Sequence, residues 1–280
     1  MRITKTVAEL RTWSRAARSA SKSVGLVPTM GALHEGHLSL VRAAKASCDA
    51  VVVSIFVNPT QFGPNEDFAL YPRTFEADYA LLAAEGVDVI FAPAPEEIYL
   101  PGAATFVEVE GLSQRLDGVS RPGHFRGVAT VVAKLFIAAE PNRAFFGQKD
   151  AAQIAVLRRM IVDMGLPVGL VVCPIVCESD GLAMSSRNRY LSQQERQQAL
   201  VLRRSLDAVQ AAIATGERNS ETLIAKAQSI FALQADVRVD YIAAVDWVTL
   251  LPVEQTLPGT LFAVAAWVGK TRLIDNMIIQ

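Results

Sequence analysis

The feature that most constrains the fold is an alternation of short apolar runs with longer segments of helical spacing. Buried parallel strands are covered on both faces, so they read as continuous apolar runs. Helix-ending residues, Gly86, Pro141 and Gly165, close the intervening segments. The apolar runs occupy residues 24–27, 50–57, 87–91 and 144–146, and the helical segments residues 75–85, 128–139 and 150–164. The pattern predicts an α/β fold with a Rossmann-like parallel sheet and helices on both faces.

A different pattern begins after a further apolar run at residues 168–172. Ser192 and Glu195 have the spacing of a capping box, which predicts a helix that continues to about Gly216. Another helix, capped by Asn219 or Ser220, precedes apolar strands with no long helix between them, so antiparallel pairing is expected. These strands occupy residues 237–245, 261–268 and 272–274. We predict a Rossmann-like domain over residues 1–175 and a smaller α+β domain with an antiparallel sheet over residues 176–280.

Composition favours small molecules as partners. The 280 residues carry 27 Lys and Arg against 28 Asp and Glu, without a basic block of the kind that binds nucleic acid. The longest uncharged apolar stretch, residues 257–268, contains Pro258 and is shorter than the ~20 residues that span a bilayer. Residues 1–23 are basic and Ser-rich, as in a transit peptide, but a first strand and helix are expected there. The odd number and the spacing of Cys48, Cys173 and Cys177 indicate reduced thiols and a cytoplasmic protein.

Two of the three histidines lie in one turn after the first apolar run. Pro28 and Gly31 predict a tight turn, and His34 and His37 have the spacing that places side chains on one face of a helix. A helix N-terminus attracts anions, and Gly36 lets a ligand lie close. A lone histidine here is more often an exposed or capping residue. The pair, placed where open α/β sheets bind ligands, predicts a phosphate site.

Polar side chains also follow two other apolar runs. The second run ends at Asn58, which places Gln61 at the same sheet edge, where its amide can bind a hydroxyl or a carboxylate. Gly147 permits close backbone approach, and Lys149 is a phosphate ligand at the start of the next helix. Gln153 lies one turn further along. Taken singly, the Asn58–Gln61 segment also fits an ordinary polar turn, and Lys149 also fits a solvated surface lysine.

The loop over residues 184–190 is the fourth candidate segment. Ser185 and Ser186 are followed by Arg187 and Arg189, and hydroxyl and guanidinium groups suit terminal phosphates. Without the other three segments, this loop reads as a domain linker.

Common nucleotide and hydrolase motifs are absent from the sequence. Residues 269–271 imitate the end of a P-loop, but Val264 stands where its first glycine belongs. No G-x-G-x-x-G follows a strand, and no G-x-S-x-G elbow occurs. P-loop, dinucleotide-binding and serine-hydrolase functions are therefore excluded.

Together these segments resemble the pantothenate synthetase (pantoate–β-alanine ligase) family, whose superfamily shares an H-x-G-H motif with class I aminoacyl-tRNA synthetases. The resemblance covers nearly the whole chain and rests on residues 28–37, 56–62, 71–74, 120–127, 146–150 and 180–188. It implies that the first domain binds ATP and pantoate and that the second is a lid carrying the 184–187 loop. Departures from the usual pattern, at Gln148, Ala151, Ala152 and Cys177, remove no expected phosphate ligand.

The resemblance implies an ATP-dependent condensation of pantoate with β-alanine through a pantoyl adenylate, with Mg²⁺ on the phosphates and a homodimeric enzyme. His37 would be the proton donor, while His34 and Lys149 would stabilise charge in the transition state. Ser185, Ser186 and Arg187 would complete the catalytic set. The residues implied to bind ATP are Met30, Gly31, Ala32, Leu33, His34, Glu35, Gly36, His37, Gly147, Gln148, Lys149, Asp150, Val176, Met184, Ser185, Ser186 and Arg187.

The resemblance also implies a pantoate site. Gln61 and Gln153 would hold the acid. The apolar side chains that would contact its dimethyl group are Val128, Val131, Val132 and Phe146. Asp78 is expected to contact magnesium through water, but no set of metal ligands follows from the sequence.

Two other functions stay open on the residues alone. A nucleotidylyltransferase that releases an adenylated product shares the first motif, although it needs neither an amine site nor a large second domain. The segments around Gln61 and Arg121 disfavour it. A catalytically silent nucleotide sensor is expected to lack His37, Lys149 or the serine pair, and all are present. An enzyme is therefore favoured.

Overall fold

The computed structural model describes residues 1–64 and 66–280. The chain forms two compact units, one of residues 1–147 and 156–174 and one of residues 148–155 and 175–280. The domain boundary at residue 175 stays a prediction; the compact units differ from it by assigning residues 148–155 to the C-terminal unit. Among the described residues, no helix has the length and apolar character needed to cross a membrane.

The first unit is built on a six-stranded sheet in which all neighbouring strands are parallel. The strands are β1 (Arg2–Thr4), β2 (Val24–Thr29), β3 (Ala50–Ile55), β4 (Val89–Phe91), β5 (Arg143–Gly147) and β6 (Gly169–Cys173). The helices of this part of the chain are α1 (Val7–Ser19), α2 (Glu35–Ser47), α3 (Phe75–Ala84), α4 (Pro95–Ile98), α5 (Asp117–Ser120), α6 (His124–Ala139) and α7 (Ala151–Asp163). The predicted parallel α/β fold is confirmed.

The strand order, β1-β4-β3-β2-β5-β6, contains a switch point between β2 and β5. From β2 the chain adds β3 and β4 on one side, and it later returns to pair β5 on the other side of β2. A switch point leaves a crevice outside the carboxyl ends of the strands. The 30–37 turn follows β2 and Gly147 ends β5, so both lie at the carboxyl edge of the sheet.

An apolar core holds α2 against this sheet. Leu38, Val41 and Ala44 of α2 are buried together with Val51 and Val53 of β3. These positions on α2 are spaced by three residues, which is the spacing of one helix face. Burying that face fixes α2, and with it the helix N-terminus that carries the two histidines.

A close approach of α6 positions the Gln61 turn. Gly127 of α6 faces this turn, and a Cβ at Gly127 would overlap the carbonyl oxygen of Thr60 and lie 2.7 Å from the backbone nitrogen of Gln61. A side chain at this position would therefore push the turn away from the helix. Glycine allows backbone to pack directly on backbone.

The second unit contains an antiparallel sheet covered by helices. Its helices are α8 (Gln193–Ala199), α9 (Val201–Ala214) and α10 (Ser220–Phe231), and its strands are β7 (Val237–Asp246), β8 (Thr260–Val268) and β9 (Thr271–Ile278). The strand order is β7-β8-β9, with antiparallel pairing throughout, as predicted. Leu202 and Leu223 of the helices pack into one core with Phe262 and Val264 of the central strand.

One helix prediction is wrong. Ser192 and Glu195 do form a capping box, but the expected single helix to Gly216 is broken at Leu200 into α8 and α9. Ala199 to Leu202 are four consecutive buried residues. In a straight helix they would point in nearly all directions, because successive residues are rotated by roughly 100°. The break lets all four contact the core.

Candidate active site

The turn after β2 is held by the carboxylate of Asp78, which comes from α3. Its Oδ2 accepts a hydrogen bond from the Ala32 N–H (2.9 Å), and its Oδ1 accepts one from the Leu33 N–H (2.8 Å). Gly31 and Ala32 have φ angles of 80° and 51°, in the left-handed region that is strained for residues with a Cβ. Asp78 is only 1% exposed, so its charged hydrogen bonds lie in a low dielectric, where they are strong. The carboxylate therefore stabilises a strained turn.

The two histidines lie side by side at the end of this turn. The centroids of the His34 and His37 rings are 4.0 Å apart, with an angle of 41° between the ring planes. His34 is the N-cap of α2, one position before the helix begins, and its N–H donates to Nδ1 of His37 over 3.3 Å. The structure thus brings the predicted pair together at a helix N-terminus, the kind of place where anions bind.

The amide of Gln61 lies next to the same turn. Its Nε2 donates to Sδ of Met30 (3.2 Å), and its Oε1 accepts from Nδ2 of Asn58 (3.0 Å). The first two candidate segments are therefore in contact, as expected for residues that follow neighbouring parallel strands.

Asn58 is a residue whose importance sequence reasoning missed. It is 1% exposed, and its Nδ2 also donates to the carbonyl of Gly127 (3.2 Å). Its Oδ1 accepts from the hydroxyls of Tyr99 (2.8 Å) and Thr60 (3.0 Å). All its side-chain polar atoms are thus bonded, as buried amides require. The sequence signalled only a polar turn here, because Gly127 and Tyr99 lie 69 and 41 residues away in the chain.

A buried polar cluster supports the backbone of Gln61. The carbonyl of Gln61 lies 2.9 Å from Nδ1 of His124 and accepts from Nη2 of Arg121 (3.3 Å). Arg121 also makes two hydrogen bonds to the carboxylate of Glu66, at 2.8 and 2.6 Å. Burial raises the pKa of Glu66, but the hydrogen bonds and the charge of Arg121 outweigh that effect and lower the pKa overall.

His124 is neutral in this cluster. A carbonyl can only accept, so Nδ1 carries the proton that it donates to Gln61, and Nε2 accepts from Nη1 of Arg121 at 3.0 Å. Burial, followed by the positive charge of Arg121, lowers the pKa of His124 to about 4. Protonating Nε2 would remove its lone pair and place two positive charges together. The third histidine of the chain therefore has a structural role beside the site.

The apolar residues expected around pantoate belong to the core of the first unit. Val128, Val131 and Val132 of α6 and Phe146 of β5 are all at most 6% exposed. Phe146 also packs edge-on against Phe136, with 6.5 Å between ring centroids. Their contact with a dimethyl group stays a prediction.

In the second unit, Lys149 lies in a short turn that precedes α7. Gln148, Lys149 and Asp150 form a single 3-10 turn, and α7 begins at Ala151, so Asp150 lies in that turn, one residue before the helix. The carbonyls of Gln148 and Lys149 both accept hydrogen bonds from the amide of Asn276. Sequence reasoning did not identify Asn276. Gln153 lies in α7 and is partly exposed.

The 176–187 segment folds back on itself. The Met184 N–H donates to the Val176 carbonyl (2.9 Å), and Cys177 pairs with Ala183 as an isolated antiparallel bridge. Ser185 caps the turn that follows, because its Oγ accepts from the Arg187 N–H at 3.3 Å. The predicted residues Val176, Met184, Ser185 and Arg187 are therefore close together in one hairpin-like loop.

Charged groups hold this loop against α8. Arg196 pairs with Glu178 (2.8 Å) and Asp180 (2.7 Å), and Asn188 donates to Glu178 (2.8 Å). Burial raises the pKa of Glu178, but the hydrogen bonds from Arg196 and Asn188 lower it by more. The loop is thus fixed at its base by a partly exposed polar network.

Within residues 1–64 and 66–280, no three His, Cys, Asp or Glu side chains are grouped so that they could hold a metal ion. Both carboxylate oxygens of Asp78, the residue expected to contact magnesium, accept hydrogen bonds from the protein backbone.

Comparison with known proteins agrees with this architecture. A family model described as pantoate–β-alanine ligase matches residues 2–278. A pantothenate synthetase from Acidobacterium capsulatum is 61% identical over 290 residues, covering 100% of this chain and 97% of the relative. One from Thermotoga neapolitana is 54% identical over 279 residues, covering 100% of both chains.

Solved structures are similar over the same length. The crystal structure of pantothenate synthetase from Thermus thermophilus has a TM-score of 0.94 and 47% identity, covering 99% of both chains. A pantoate–β-alanine ligase from Francisella tularensis, described as complexed with beta-gamma ATP and β-alanine, has a TM-score of 0.80 and 33% identity over 99% of this chain and 97% of that one.

The fold and the site thus define a ligase-type α/β protein with an H-x-G-H turn at the switch point of a parallel sheet. The chain belongs to the pantoate–β-alanine ligase family.

The Asp78 carboxylate can be tested by the substitution Asp78→Asn. The amide keeps the shape but turns an N–H donor toward a backbone N–H, so a buried charged hydrogen bond is lost. We expect the free energy of unfolding to fall by about 2–4 kcal/mol, measured by urea denaturation. Glu76→Gln, an exposed change on the same helix, is the control and is expected to have no effect. Wild-type stability in Asp78→Asn would contradict the role given to Asp78.

The neutral His124 predicts a pH dependence of stability. Its folded-state pKa of about 4 lies below the unfolded value near 6.5. The unfolded state therefore binds more protons between these values, and stability present above pH 6.5 is lost as the pH falls toward 4. From pH 7.5 to 4.5, the wild type is expected to lose roughly 2–3 kcal/mol more than His124→Asn. Urea denaturation at both pH values checks this, and equal losses in the two proteins would refute it.

Proposed function

We propose that this chain catalyses the ATP-dependent condensation of (R)-pantoate with β-alanine to give pantothenate, AMP and diphosphate. The observation that carries the proposal is the two-histidine turn, held by Asp78 at the sheet's switch point. The family name supplies the acid and the amine, and the Francisella tularensis relative is described with beta-gamma ATP and β-alanine.

The first step of the proposed reaction is adenylation. A carboxylate oxygen of pantoate attacks the α-phosphorus of ATP, the bond from that phosphorus to the bridging oxygen breaks, and diphosphate leaves with the electron pair. The protein forms no covalent bond, so its contribution is orientation and the stabilisation of developing charge. A helix N-terminus with two adjacent imidazoles supports that role.

The second step forms the amide. The amine nitrogen of β-alanine attacks the acyl carbon of pantoyl adenylate, the bond from this carbon to the AMP oxygen breaks, AMP leaves with the electron pair, and the amine releases a proton to solvent. AMP is a good leaving group, so activation in the first step drives the second. These two steps require an acid-binding site beside a nucleotide-binding site.

The proposal assigns residues to these tasks. His37 donates a proton to the departing diphosphate, and His34 and Lys149 stabilise negative charge on the phosphates. Gln61 and Gln153 hold pantoate. The contact of Gln61 with Met30 supports the role of Gln61, because it places this amide next to the two-histidine turn. The remaining ATP contacts are assigned to Met30, Gly31, Ala32, Leu33, Glu35, Gly36, Gly147, Gln148, Asp150, Val176, Met184, Ser185, Ser186 and Arg187.

Mg²⁺ is proposed to arrive as the complex with ATP. Mg²⁺ commonly keeps several waters and binds through substrate phosphates with few protein ligands. The bonded state of both Asp78 oxygens fits a contact through water better than direct ligation. No step above is assigned to a protein-bound ion.

We further propose that the enzyme is a cytoplasmic homodimer and that the 184–187 loop belongs to a lid that moves during the cycle. These proposals rest on the family resemblance. Light scattering coupled to size exclusion measures the oligomeric state, and a monomeric mass would exclude the dimer.

The proposed reaction predicts diphosphate release that depends on pantoate. With ATP and D-pantoate alone, a single turnover is expected to yield enzyme-bound adenylate and diphosphate, and adding β-alanine yields AMP and the amide. Release of diphosphate without pantoate would exclude the function. An adenylate that accumulates and ignores β-alanine would favour the alternative nucleotidylyltransferase.

In the same assay, His37→Ala and Lys149→Ala are expected to slow adenylation by about 100-fold or more, because each removes a preorganised group that contacts the reacting phosphates. Lys270→Ala replaces an exposed lysine of the second unit and is the matched control. Circular dichroism checks the fold. Variant rates equal to the control would reject the assigned roles but not the reaction.

A further inference from the structure

Strand β9 carries two adjacent polar residues that are buried in an otherwise largely apolar sheet. Asp275 and Asn276 are 3% and 4% exposed. Successive side chains of a strand point to opposite faces. Asp275 therefore shares the face of Leu273, which packs in the core of the second unit, and Asn276 projects from the other face. Burying a polar side chain costs free energy unless it is hydrogen-bonded, so each of the two is expected to have hydrogen-bond partners.

The partners of Asn276 are in the turn that carries Lys149. Its Nδ2 donates to the carbonyl oxygens of Lys149 (2.9 Å) and Gln148 (3.1 Å). Its Oδ1 accepts from Nε2 of Gln148 at 3.2 Å. Both carbonyls can only accept, so the orientation of the Asn276 amide is fixed by its surroundings. One side chain thus holds two successive peptide groups.

These bonds tie a short turn to a rigid element. β9 pairs with β8 along its whole length, from Thr271 opposite Val268 to Ile278 opposite Leu261. The turn of residues 148–150, by contrast, is a single 3-10 turn, whose hydrogen-bond geometry is poorer than that of an α-helix. The bonds from Asn276 therefore connect the main chain at Lys149 to a paired strand.

Asp275 is the second buried polar residue of this strand. Its Oδ1 accepts from the Asn276 N–H (2.8 Å), while its buried Oδ2 has no hydrogen-bond partner among the described residues. Burial raises the pKa of Asp275 to about 6, and the positive charges of Lys149 and Arg203 oppose this rise. Asp207 adds to it. Asp275 thus holds the backbone of Asn276, the residue that bonds to the turn.

We propose that Asn276 is a positioning residue for Lys149, fixing the 148–149 peptide groups so that the ammonium group is held where ATP phosphates bind. The proposal rests on the phosphate-binding role proposed for Lys149. The alternative is that Asn276 only provides hydrogen bonds to two buried carbonyls and contributes to stability alone. The two explanations differ in whether the effect of Asn276 passes through Lys149.

A double-mutant cycle separates them. Wild type, Asn276→Ala, Lys149→Ala and the double variant are compared in single-turnover adenylation. The ATP dependence of the rate constant separates the maximal rate from the half-saturating ATP concentration. Leu273→Val on the same strand is the control for lost stability, because it destabilises the core of the second unit without touching the turn. Asn276→Ser, which keeps one donor, is expected to recover part of the rate and replaces the alanine variant if that protein does not fold.

We expect Asn276→Ala to slow adenylation by about 10- to 100-fold in the wild-type background, and by less than about twofold once Lys149 is alanine, because misplacement of Lys149 then has no consequence. Leu273→Val is expected to keep its rate within about twofold while lowering the urea midpoint. Equal losses in both backgrounds, or a loss no larger than that of Leu273→Val, would overturn the proposal.

The controls distinguish this proposal from the proposed function. Pantoate-dependent adenylate in the wild type supports the reaction whatever Asn276 does. A wild-type rate in Lys149→Ala would overturn the positioning role while leaving the reaction intact. The same cycle is measured by equilibrium binding of ATP to wild type, both single variants and the double variant, without any reaction. Additive changes in binding free energy would also overturn the proposal.

Discussion

The hydrogen bonds from Ala32 and Leu33 to the Asp78 carboxylate are the interaction on which the two-histidine turn of the first unit depends. The turn between β2 and α2 places both Gly31 and Ala32 in the left-handed region, which an L-residue adopts only when its surroundings compensate the strain. A buried carboxylate that accepts two backbone N–H groups supplies that compensation. The positions of His34 and His37 at the start of α2 follow from it.

The same principle recurs at the other functional groups, which are supported by buried polar side chains that do not themselves react. Asn58 orients the Gln61 amide, and His124 holds the Gln61 carbonyl. Asn276 holds the two peptide groups at Lys149. A reaction that forms no covalent bond to the protein depends on orientation, so the proposed function gives such supports a purpose.

The sequence predicted what local patterns can encode. Continuous apolar runs located β2, β3 and β5, and the capping pair Ser192 and Glu195 located the start of α8. The strand order and the break at Leu200 depend on contacts between distant segments, which periodicity does not contain. The functional turns were found because histidine, glycine and lysine are conspicuous at strand ends.

Their supports were missed for a physical reason. Asn276 bonds to residues 127 and 128 positions away, and Asn58 to Gly127, 69 positions away. In the sequence, Asn276 is one polar residue in the run Thr271–Ile278, and its burial becomes visible only in the folded unit. Asp78 was noticed only as a magnesium contact, whereas its bonds to the Ala32–Leu33 backbone required the tertiary fold.

The central claim is that this chain activates pantoate by joining its carboxylate to AMP. The most direct measurement is the fate of ¹⁸O in the pantoate carboxylate during turnover with ATP and β-alanine, followed by mass spectrometry of the products. The account predicts that a single labelled oxygen is transferred to each AMP, because the acyl C–O bond breaks in the second step. Label found in the diphosphate, or AMP without label, would contradict it.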